Sequence, residues 1–517
     1  MHSFFTTILL LSLFLNAFSQ NDNQLAAKVM AEKQPIADQH NGYYLNPILA
    51  GDYGDPSIVL VGKTYALAKS YGDGIIVWQS HDLVNWKPIL RRPFGNGISG
   101  VWAVDLQYFD GKYHLYIPVG SHPGKKPGSY TNMVMTALTP DGPWSDPESL
   151  EIQAPEGEHF PAIDPGFIST PEGKKYLYVN KGFVIELNAE GTKAIGIPQK
   201  VYDGWQYPVD WNVQCMCLES PKLFRKDGYY YLVSAEGGTS GPSTAHMTVV
   251  ARSESPTGPW VNSPYNPLTH TYSPDEKWWQ QGHGTIFKAI DGTWWTIYHA
   301  RLNSYEGLGR QVLLMPVDWT SDGWPVIKNG IQAHELIPMP SGENTGHGLV
   351  ISDDFQSEKS GLQWIIPDKN KSDIKFGNGK LTLKAKGSSR QDSNSLSVRA
   401  VNKSFEITVE VFCPDSTAQA GIEVGNSGIE TNGVKTYFSE GPEWRMRDVN
   451  ELLKQKGRVF MKIKNLRKDI SFFYSNDGKN WINFGKGLRL ADGYNIALFA
   501  KGKGVVSFAN FNYQGLE

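Results

Sequence analysis

Cysteine is scarce in this sequence, with only three among 517 residues: Cys215, Cys217 and Cys413. So few cysteines exclude a fold held by a framework of disulfides, as is typical of small secreted domains. Cys215 and Cys217 are separated by a single residue, too close for an easy bridge, and two cysteines alone do not make a zinc site. We therefore predict buried or pocket-lining thiols.

An excess of positive charge and long apolar runs are also lacking. With 49 lysines and arginines against 52 aspartates and glutamates, the net charge is −3, which excludes the basic stripe that nucleic-acid binding needs. The one apolar run, Phe4 to Phe18, is too short to span a bilayer with its flanks, and Ala17-Phe18-Ser19 has the form of a cleavage site. We predict a signal peptide over residues 1–20, no membrane insertion, and a secreted or periplasmic protein.

Helical periodicity is missing from the long stretches of the chain, which disfavours a parallel α/β fold. A tight turn followed by an aromatic, alternating strand recurs instead, and this pattern is typical of a β-hairpin. The five copies are Gly62-Lys63-Thr64-Tyr65, Asp110-Gly111-Lys112-Tyr113, Glu172-Gly173-Lys174-Lys175-Tyr176, Asp227-Gly228-Tyr229-Tyr230 and Asp291-Gly292-Thr293-Trp294. Their spacing predicts an all-β fold in which residues 21–345 form a five-bladed β-propeller of four-stranded blades. A non-repeating β-sandwich with similar turns is the alternative.

A second domain is expected after the repeats, because the chain is too long for one ordinary core. Pro338-Met339-Pro340-Ser341-Gly342 has the composition of a linker. Short alternating strands follow it, such as Phe405 to Phe412 and Ile470 to Tyr474, and Asn476-Asp477-Gly478 is a hairpin turn. Residues 346–517 are therefore predicted to form a β-sandwich (jelly-roll) domain.

Three acidic residues, Asp55, Asp164 and Glu219, stand just before the apolar strands of successive repeats. Each is followed by a proline one or two residues later. An aspartate before a proline is often only a turn former or cap, but three acids in matching contexts favour a shared role. Since the innermost strands of a propeller run along its axis, these acids are expected to converge at one mouth of the central channel.

Converging carboxylates are what glycoside hydrolysis requires. One must be protonated to donate to the leaving oxygen, and another must be ionised to activate water on the opposite face of the sugar. A third can raise the pKa of the acid, because like charges in close quarters favour protonation. The 16 tryptophans suit a ligand with flat apolar faces, although most aromatics are expected to fill the β core.

The chain resembles glycoside hydrolase family 43 over about residues 43 to 340. The motifs that carry this resemblance occur in the family's order, and they include the run Asn46 to Ile58, Val101-Trp102-Ala103-Val104-Asp105, Ile163-Asp164-Pro165, Leu218-Glu219-Ser220-Pro221, Gly282-His283-Gly284 and Leu308-Gly309-Arg310-Gln311. The resemblance implies a five-bladed propeller of inverting enzymes. It also implies that Asp55 is the general base, Asp164 the pKa modulator and Glu219 the general acid.

The same resemblance implies roles for three further residues. Trp102 would wall the sugar pocket, and Arg310 would reach the sugar or the acid through the channel. His283 would sit near the axis, where some members hold a calcium ion or a water cluster, so that a calcium ion held through water is expected there and no cofactor is required for the reaction. Two positions depart from the family pattern, Val104 and Ser220, and both concern the pocket wall.

The implied activity is exo-acting release of a terminal pentose from plant cell-wall polysaccharides or oligosaccharides, with α-L-arabinofuranose preferred and β-D-xylose next. The C-terminal part resembles the concanavalin-like sandwich of β-xylosidase-type members. Three alternatives stay open: a non-catalytic carbohydrate-binding propeller, an endo-acting arabinanase, and a retaining relative, whose motif would usually read Asn-Asp-Pro where this chain has Gly54-Asp55-Pro56. The sequence leaves the oligomeric state unknown.

Overall fold

The computed structural model describes residues 27–123, 130–156, 160, 162–425, 427–440, 447–453, 456–489 and 494–517. The predicted signal peptide, residues 1–20, lies outside these ranges. Among the described residues, no helix combines the length and the apolar character needed to cross a membrane.

The first domain is a five-bladed β-propeller, so the fold predicted from the repeated turns is confirmed. In the fourth blade, for example, Lys226 pairs with Tyr229, and the turn between them is formed by Asp227 and Gly228 with φ values of 49° and 88°. Positive φ at both central residues is the turn geometry that matches the twist of a hairpin.

The blades are antiparallel sheets with the following strands. Blade 1 contains Ser57–Val61, Thr64–Tyr71, Gly74–Ser80 and Lys87–Pro93; blade 2 contains Ser99–Val101, Asp105–Phe109, Lys112–Ser121, Thr131–Ala137 and Glu148–Ser149; blade 3 contains Gly166–Ser169, Lys175–Val179, Phe183–Leu187 and Ala194–Lys200; blade 4 contains Cys215–Lys226, Tyr229–Gly237, Met247–Ser253, Val261–Asn262 and Thr269–His270; blade 5 contains Trp278–Lys288, Trp294–Leu302, Arg310–Trp319 and Pro325–Ile327.

The ring is closed by chain segments from both ends of the domain. Tyr43–Tyr44 pairs antiparallel with Ile337–Pro338, and Leu49 forms a bridge with Val312 of blade 5. Neighbouring blades pack through apolar faces, as where Val77 of blade 1 and Leu115 of blade 2 are fully buried in one cluster. Burying such side chains contributes roughly 1.5–3 kcal/mol each, which keeps the innermost strands in place around the channel.

The second domain is a β-sandwich of two antiparallel sheets. One sheet has the order Ile374–Gly377, Lys380–Lys384, Val505–Gly515, Phe405–Phe412, Arg458–Leu466, Asp469–Ser475, Ile482–Arg489, and the other has the order Asn394–Arg399, Asn495–Gly502, Ala418–Val424, Ser427–Thr431, Lys435–Glu440, Arg447–Leu452. Short 3₁₀ turns occur at Asn180–Gly182, Glu306–Leu308, Lys328–Gly330 and Asp368–Asp373. Alternate residues of Phe405–Phe412 are buried, as a strand with one face on the core requires.

The chain divides into two compact units, one of residues 37–84 and 88–342 and the other of the described residues 27–36, 85–87 and 343–517. The predicted boundary lay between residues 345 and 346, and the prediction assigned all residues from 21 onward to the propeller. Residues 27–36 group with the sandwich because Glu32 is bound to it. The Glu32 carboxylate accepts hydrogen bonds from the backbone N–H groups of Ile351 and Ser352, and Gly515 N–H donates to Glu32 O.

Candidate active site

The three predicted acids enter the channel from the innermost strands of blades 1, 3 and 4. Asp55 and Asp164 each stand two residues before their strand, and their φ values of 60° and 55° place both in the left-handed region. Glu219 pairs with Ala235 between two register shifts, and Ser220 next to it has φ 53°. Non-glycine residues rarely adopt this conformation. A left-handed residue thus lies at Asp55 and at Asp164 and directly after Glu219, and the charges of the three acids affect one another's pKa values, so the carboxylates lie close together.

Asp55 is buried against one arginine and two histidines. Its Oδ1 lies 2.6 Å from a guanidinium nitrogen of Arg310 and 3.2 Å from Nδ1 of both His283 and His299. Burial favours the protonated form of Asp55. The positive charge of Arg310 and the contacts with the two imidazoles have a larger and opposite effect, and they hold the pKa of Asp55 well below its usual value. Asp55 is therefore ionised at neutral pH.

Asp164 and Glu219 have the opposite electrostatics. Burial and the negative charge of Asp55 raise the pKa of Asp164 to about 7, although its Oδ2 accepts a hydrogen bond from Ser220 N–H at 3.1 Å. Burial, then Asp164 and then Asp55 raise the pKa of Glu219 well above its usual value. Glu219 keeps partial solvent access, whereas Asp55 and Asp164 are buried. The site thus holds an ionised carboxylate, Asp55, and a protonated carboxyl group, Glu219.

Gly54 gives the Asp55 turn its room. A Cβ built at position 54 would lie 2.6 Å from Nε of Arg310, closer than side-chain atoms tolerate. The asparagine that the retaining relatives usually carry before this aspartate would meet Arg310 there. The Gly54-Asp55 pair is therefore matched to an arginine packed against the carboxylate.

Of the other predicted site residues, Arg310 and His283 lie against Asp55 as described. Trp102 follows the strand Ser99–Val101 in blade 2, is 44 % exposed, and meets Tyr130 edge-on with ring centroids 5.4 Å apart. These contacts do not test whether Trp102 forms a wall of the sugar pocket, so its role stays a prediction.

Sequence reasoning missed four buried residues of the channel. His299 contacts Asp55, and His246 stacks with His299 at a centroid distance of 5.2 Å. The ammonium of Lys222 lies 2.8 Å from Oδ1 of Asp105 and also donates to Val104 O and Pro165 O. Asp105 stands at the start of its strand much as the three acids do, which is a signal that could have identified it. The histidines have no such pattern.

Two groups of side chains could hold a metal ion: Asp55, His283 and His299 form one, and Glu219, His246 and His283 form the other. Within each group the ligand atoms lie within 4.8 Å of one another. Burial lowers the pKa of His283 to about 3 and that of His299 to about 4, so both rings are neutral. Among the described residues, Nε2 of His283 has no hydrogen-bond partner. A water molecule or a hydrated ion would satisfy it.

The prediction of thiols at Cys215 and Cys217 is wrong, because the two residues form a disulfide. In a regular strand their Cα atoms would be about 6.6 Å apart, but here the distance is 5.2 Å, within the usual range for a disulfide. The strand is irregular here, with a register shift between Cys215 and Glu219, and this irregularity brings the two Cα atoms closer together than regular spacing would. The third cysteine, Cys413, is a buried free thiol as predicted.

Comparison with solved structures agrees with both domains. A variant of the family 43 protein BlXynB from Bacillus licheniformis is 28% identical, with a TM-score of 0.79, over 92% of this chain and 100% of that one. The Bacteroides ovatus protein described as xyloglucan PUL GH43B is 26% identical, with a TM-score of 0.77, over 92% of this chain and 100% of that one.

Curated sequences similar to this chain include a non-reducing end alpha-L-arabinofuranosidase from Bacteroides ovatus, 34% identical over 347 residues, which are 62% of this chain and 61% of that protein. A xylan 1,3-beta-xylosidase from a Vibrio species is 31% identical over 55% of this chain and 57% of its own length. The chain thus spans less than two thirds of these curated relatives. The sequence model of glycosyl hydrolases family 43 matches residues 44–325, which is more than half of the chain, and the protein therefore belongs to that family.

Proposed function

We propose that the protein is an inverting, exo-acting glycosidase that releases a terminal pentose from plant cell-wall polysaccharides or oligosaccharides. The observation that carries the proposal is the opposite protonation of two neighbouring carboxyl groups. Arg310 keeps Asp55 ionised, while burial and Asp164 keep Glu219 protonated. A propeller that only binds sugars has no need of this difference, and the family assignment also argues against that alternative.

In the proposed mechanism, Asp55 removes a proton from water, and the water oxygen attacks the anomeric carbon. Glu219 donates its proton to the departing glycosidic oxygen as the bond breaks. Configuration inverts, because attack and departure occur on opposite faces and no covalent intermediate forms. The negative charge of Asp164 raises the pKa of Glu219, so Glu219 stays protonated until it donates its proton to the leaving oxygen.

The pentose is proposed to be α-L-arabinofuranose first and β-D-xylose next. Support for arabinofuranose comes from the name of the 34% identical relative, and support for xylose from the relatives named xylosidases. The word "non-reducing end" in the first of these names favours exo action over an endo-acting arabinanase. We propose that Trp102 contributes an aromatic wall to the sugar pocket.

The test is a comparison of hydrolysis of p-nitrophenyl α-L-arabinofuranoside and p-nitrophenyl β-D-xyloside, with the anomeric configuration of the first-formed product followed by NMR. The proposal expects faster release from the arabinofuranoside and a product of inverted configuration. A retained product would overturn the mechanism, and a preference for the xyloside would reverse the order of substrates without affecting it.

We also propose that the reaction needs no cofactor and that His283 holds a structural calcium ion through water. Calcium prefers oxygen ligands, and water would supply them to the neutral imidazole. A chelator should then lower the melting temperature, and an unchanged melting temperature would argue against the ion.

Export is proposed from the apolar run before residue 20. Mass spectrometry of the protein from its host should give a mature chain that starts at Asn21, outside the cell or in the periplasm. A chain that retains residues 1–20 would contradict the signal peptide.

A further inference from the structure

Four aromatic rings contact one another on blade 4 and the loop before it, and the reaction described above does not use them. We call Trp205, Trp211, His270 and Tyr272 the aromatic cluster. Trp211 stacks on His270 with centroids 4.2 Å apart and planes 7° apart. Tyr272 stands edge-on to His270 at 4.7 Å, and Trp205 is edge-on to Trp211 at 6.0 Å.

These rings are packed on one another rather than in the core. Tyr272 is 66 % exposed, and both tryptophans keep part of their surface in solvent. Large aromatic groups that remain exposed together mark a binding surface. Their flat apolar faces with polar edges suit a ligand that has apolar C–H faces and peripheral hydroxyls, which is the character of a sugar ring.

The loop that carries the two tryptophans is held rigidly. Trp205 N–H donates to Glu236 Oε1 at 2.6 Å, Thr244 Oγ1 donates to Asn212 O at 2.8 Å, and Gln214 N–H donates to Gly237 O at 3.0 Å. The Cys215–Cys217 disulfide follows directly. Because the rings are already fixed, a ligand would lose little affinity in ordering them.

The register of blade 4 places the cluster at the end of the sheet where Glu219 lies. Glu219 pairs with Ala235 and Cys215 with Gly237 on the same neighbouring strand. Met247 pairs with Glu236 on one side and with His270 on the other. His270 and the disulfide therefore mark the same end of the blade as the acid.

This position has a chemical consequence. The general acid protonates the oxygen that departs with the leaving group, so the leaving group must lie on the Glu219 side of the scissile bond. We propose that the aromatic cluster binds the leaving part of the substrate, namely the neutral sugar chain from which the terminal pentose is cut. The proposal rests on the proposed function and adds a second binding surface to it.

His270 is the buried member of the cluster. Its Nε2 lies 2.9 Å from Thr244 O, and since a carbonyl only accepts, Nε2 carries the hydrogen and Nδ1 is an acceptor. Nδ1 has no partner among the described residues. Burial lowers the pKa of His270 to about 4, so the ring stays neutral. His270 and Tyr272 together line a cavity of about 110 Å³, which adds a concave surface beside the exposed rings of the cluster.

The experiment compares two substrates that carry the same terminal pentose, an oligosaccharide and the pentosyl fluoride, which has no leaving sugar. Tyr272→Ala and Trp211→Ala should each reduce kcat/KM on the oligosaccharide by about three- to tenfold, since an aromatic–sugar contact resembles other aromatic contacts in strength. On the fluoride both variants should stay within about twofold of the parent. Tyr272→Trp keeps a flat face and should retain most activity on the oligosaccharide.

The matched control is Tyr108→Ala, which removes a tyrosine that is 39 % exposed beside the hairpin turn of blade 2. This variant should keep the kcat/KM of the parent on both substrates. Equal losses on both substrates, or no loss on the oligosaccharide, would overturn the binding surface. A parent protein that cleaves neither substrate would overturn the proposed function instead. Melting curves separate these results from misfolding, and Tyr272 is exposed enough for its variant to fold.

Discussion

Buried carboxylates occur in both domains, but their neighbours differ. In the two sheets of the sandwich, three carboxylates lie beside cations: Glu430 lies 3.0 Å from Lys501, and Glu423 and Glu410 pair with Arg390 and Arg458. In the propeller channel, none of the described lysines or arginines forms an ion pair with Glu219 or Asp164, and after burial the charges of other acids most raise the pKa values of both.

The difference separates an acid that holds a fold together from one that must exchange a proton. A cation beside a buried carboxylate fixes its charge, and losing the cation leaves an uncompensated charge in the interior. An acid placed among other acids keeps its proton to a higher pH and can deliver it. The propeller also contains one pair of the structural kind, Lys222 with Asp105 at 2.8 Å, so the contrast is between roles rather than between domains.

The largest expected effect is on activity. Asp55→Asn and Glu219→Gln should each reduce kcat by about 10²–10⁴, the usual contribution of a general acid or base, measured on a substrate whose leaving group needs protonation. Asp146→Asn is the control, because the Asp146 side chain is fully exposed, and it should keep full activity. Activity within tenfold of the parent in either variant would remove that residue from its role.

Glu219→Gln should also leave the fold intact. The folded protein holds a proton on Glu219 that the unfolded chain releases above its ordinary pKa of 4.5. This contribution to stability is present below that pKa and is lost as the pH rises through the folded pKa. In the glutamine variant, the free energy of unfolding should therefore decline less than in the parent as the pH rises above 4.5. A decline as steep as in the parent would contradict the raised pKa.

A smaller effect, on stability, tests the structural acids. Lys501→Met should lower the free energy of unfolding by about 3–5 kcal/mol, because Glu430 is fully buried and would lose its cation. Arg467→Met is the matched control at a surface pair with Glu517, both partly exposed, and should cost less than about 1 kcal/mol. Denaturant unfolding followed by tryptophan fluorescence measures both, and equal losses would refute the distinction.

The smallest expected effect is a shift in pH dependence. Asp164→Asn removes the charge that, after burial, most raises the pKa of Glu219. The alkaline limb of kcat/KM should therefore move to lower pH. The acid limb reports Asp55. Burial raises the pKa of Asp55, but the charge of Arg310 counteracts burial and keeps this pKa low, so the acid limb should not move. An unshifted alkaline limb would mean that Asp164 does not set the protonation of Glu219.

Much of the fold could be predicted from local patterns. The hairpin turns recur because each blade joins two neighbouring antiparallel strands by a tight, glycine-containing turn, so five turns predict five blades. The cysteine pair could not be predicted, since regular alternation implies a longer Cα separation than the irregular strand between Cys215 and Glu219 gives. The grouping of residues 27–36 with the sandwich depends on Glu32 meeting backbone N–H groups about 320 positions away, which no local pattern records.

The candidate site divides in the same way. The sequence by itself determined that Asp55 and Asp164 stand just before strands of a repeated unit, because the turn that precedes an inner strand is a local feature. Glu219, predicted in the same place, lies within the strand Cys215–Lys226. Only the tertiary structure decided which acid is ionised and which is protonated, because that depends on Arg310, His283 and His299 arriving from another blade. A pKa depends on burial and on nearby charges in space, and neither can be read along the chain.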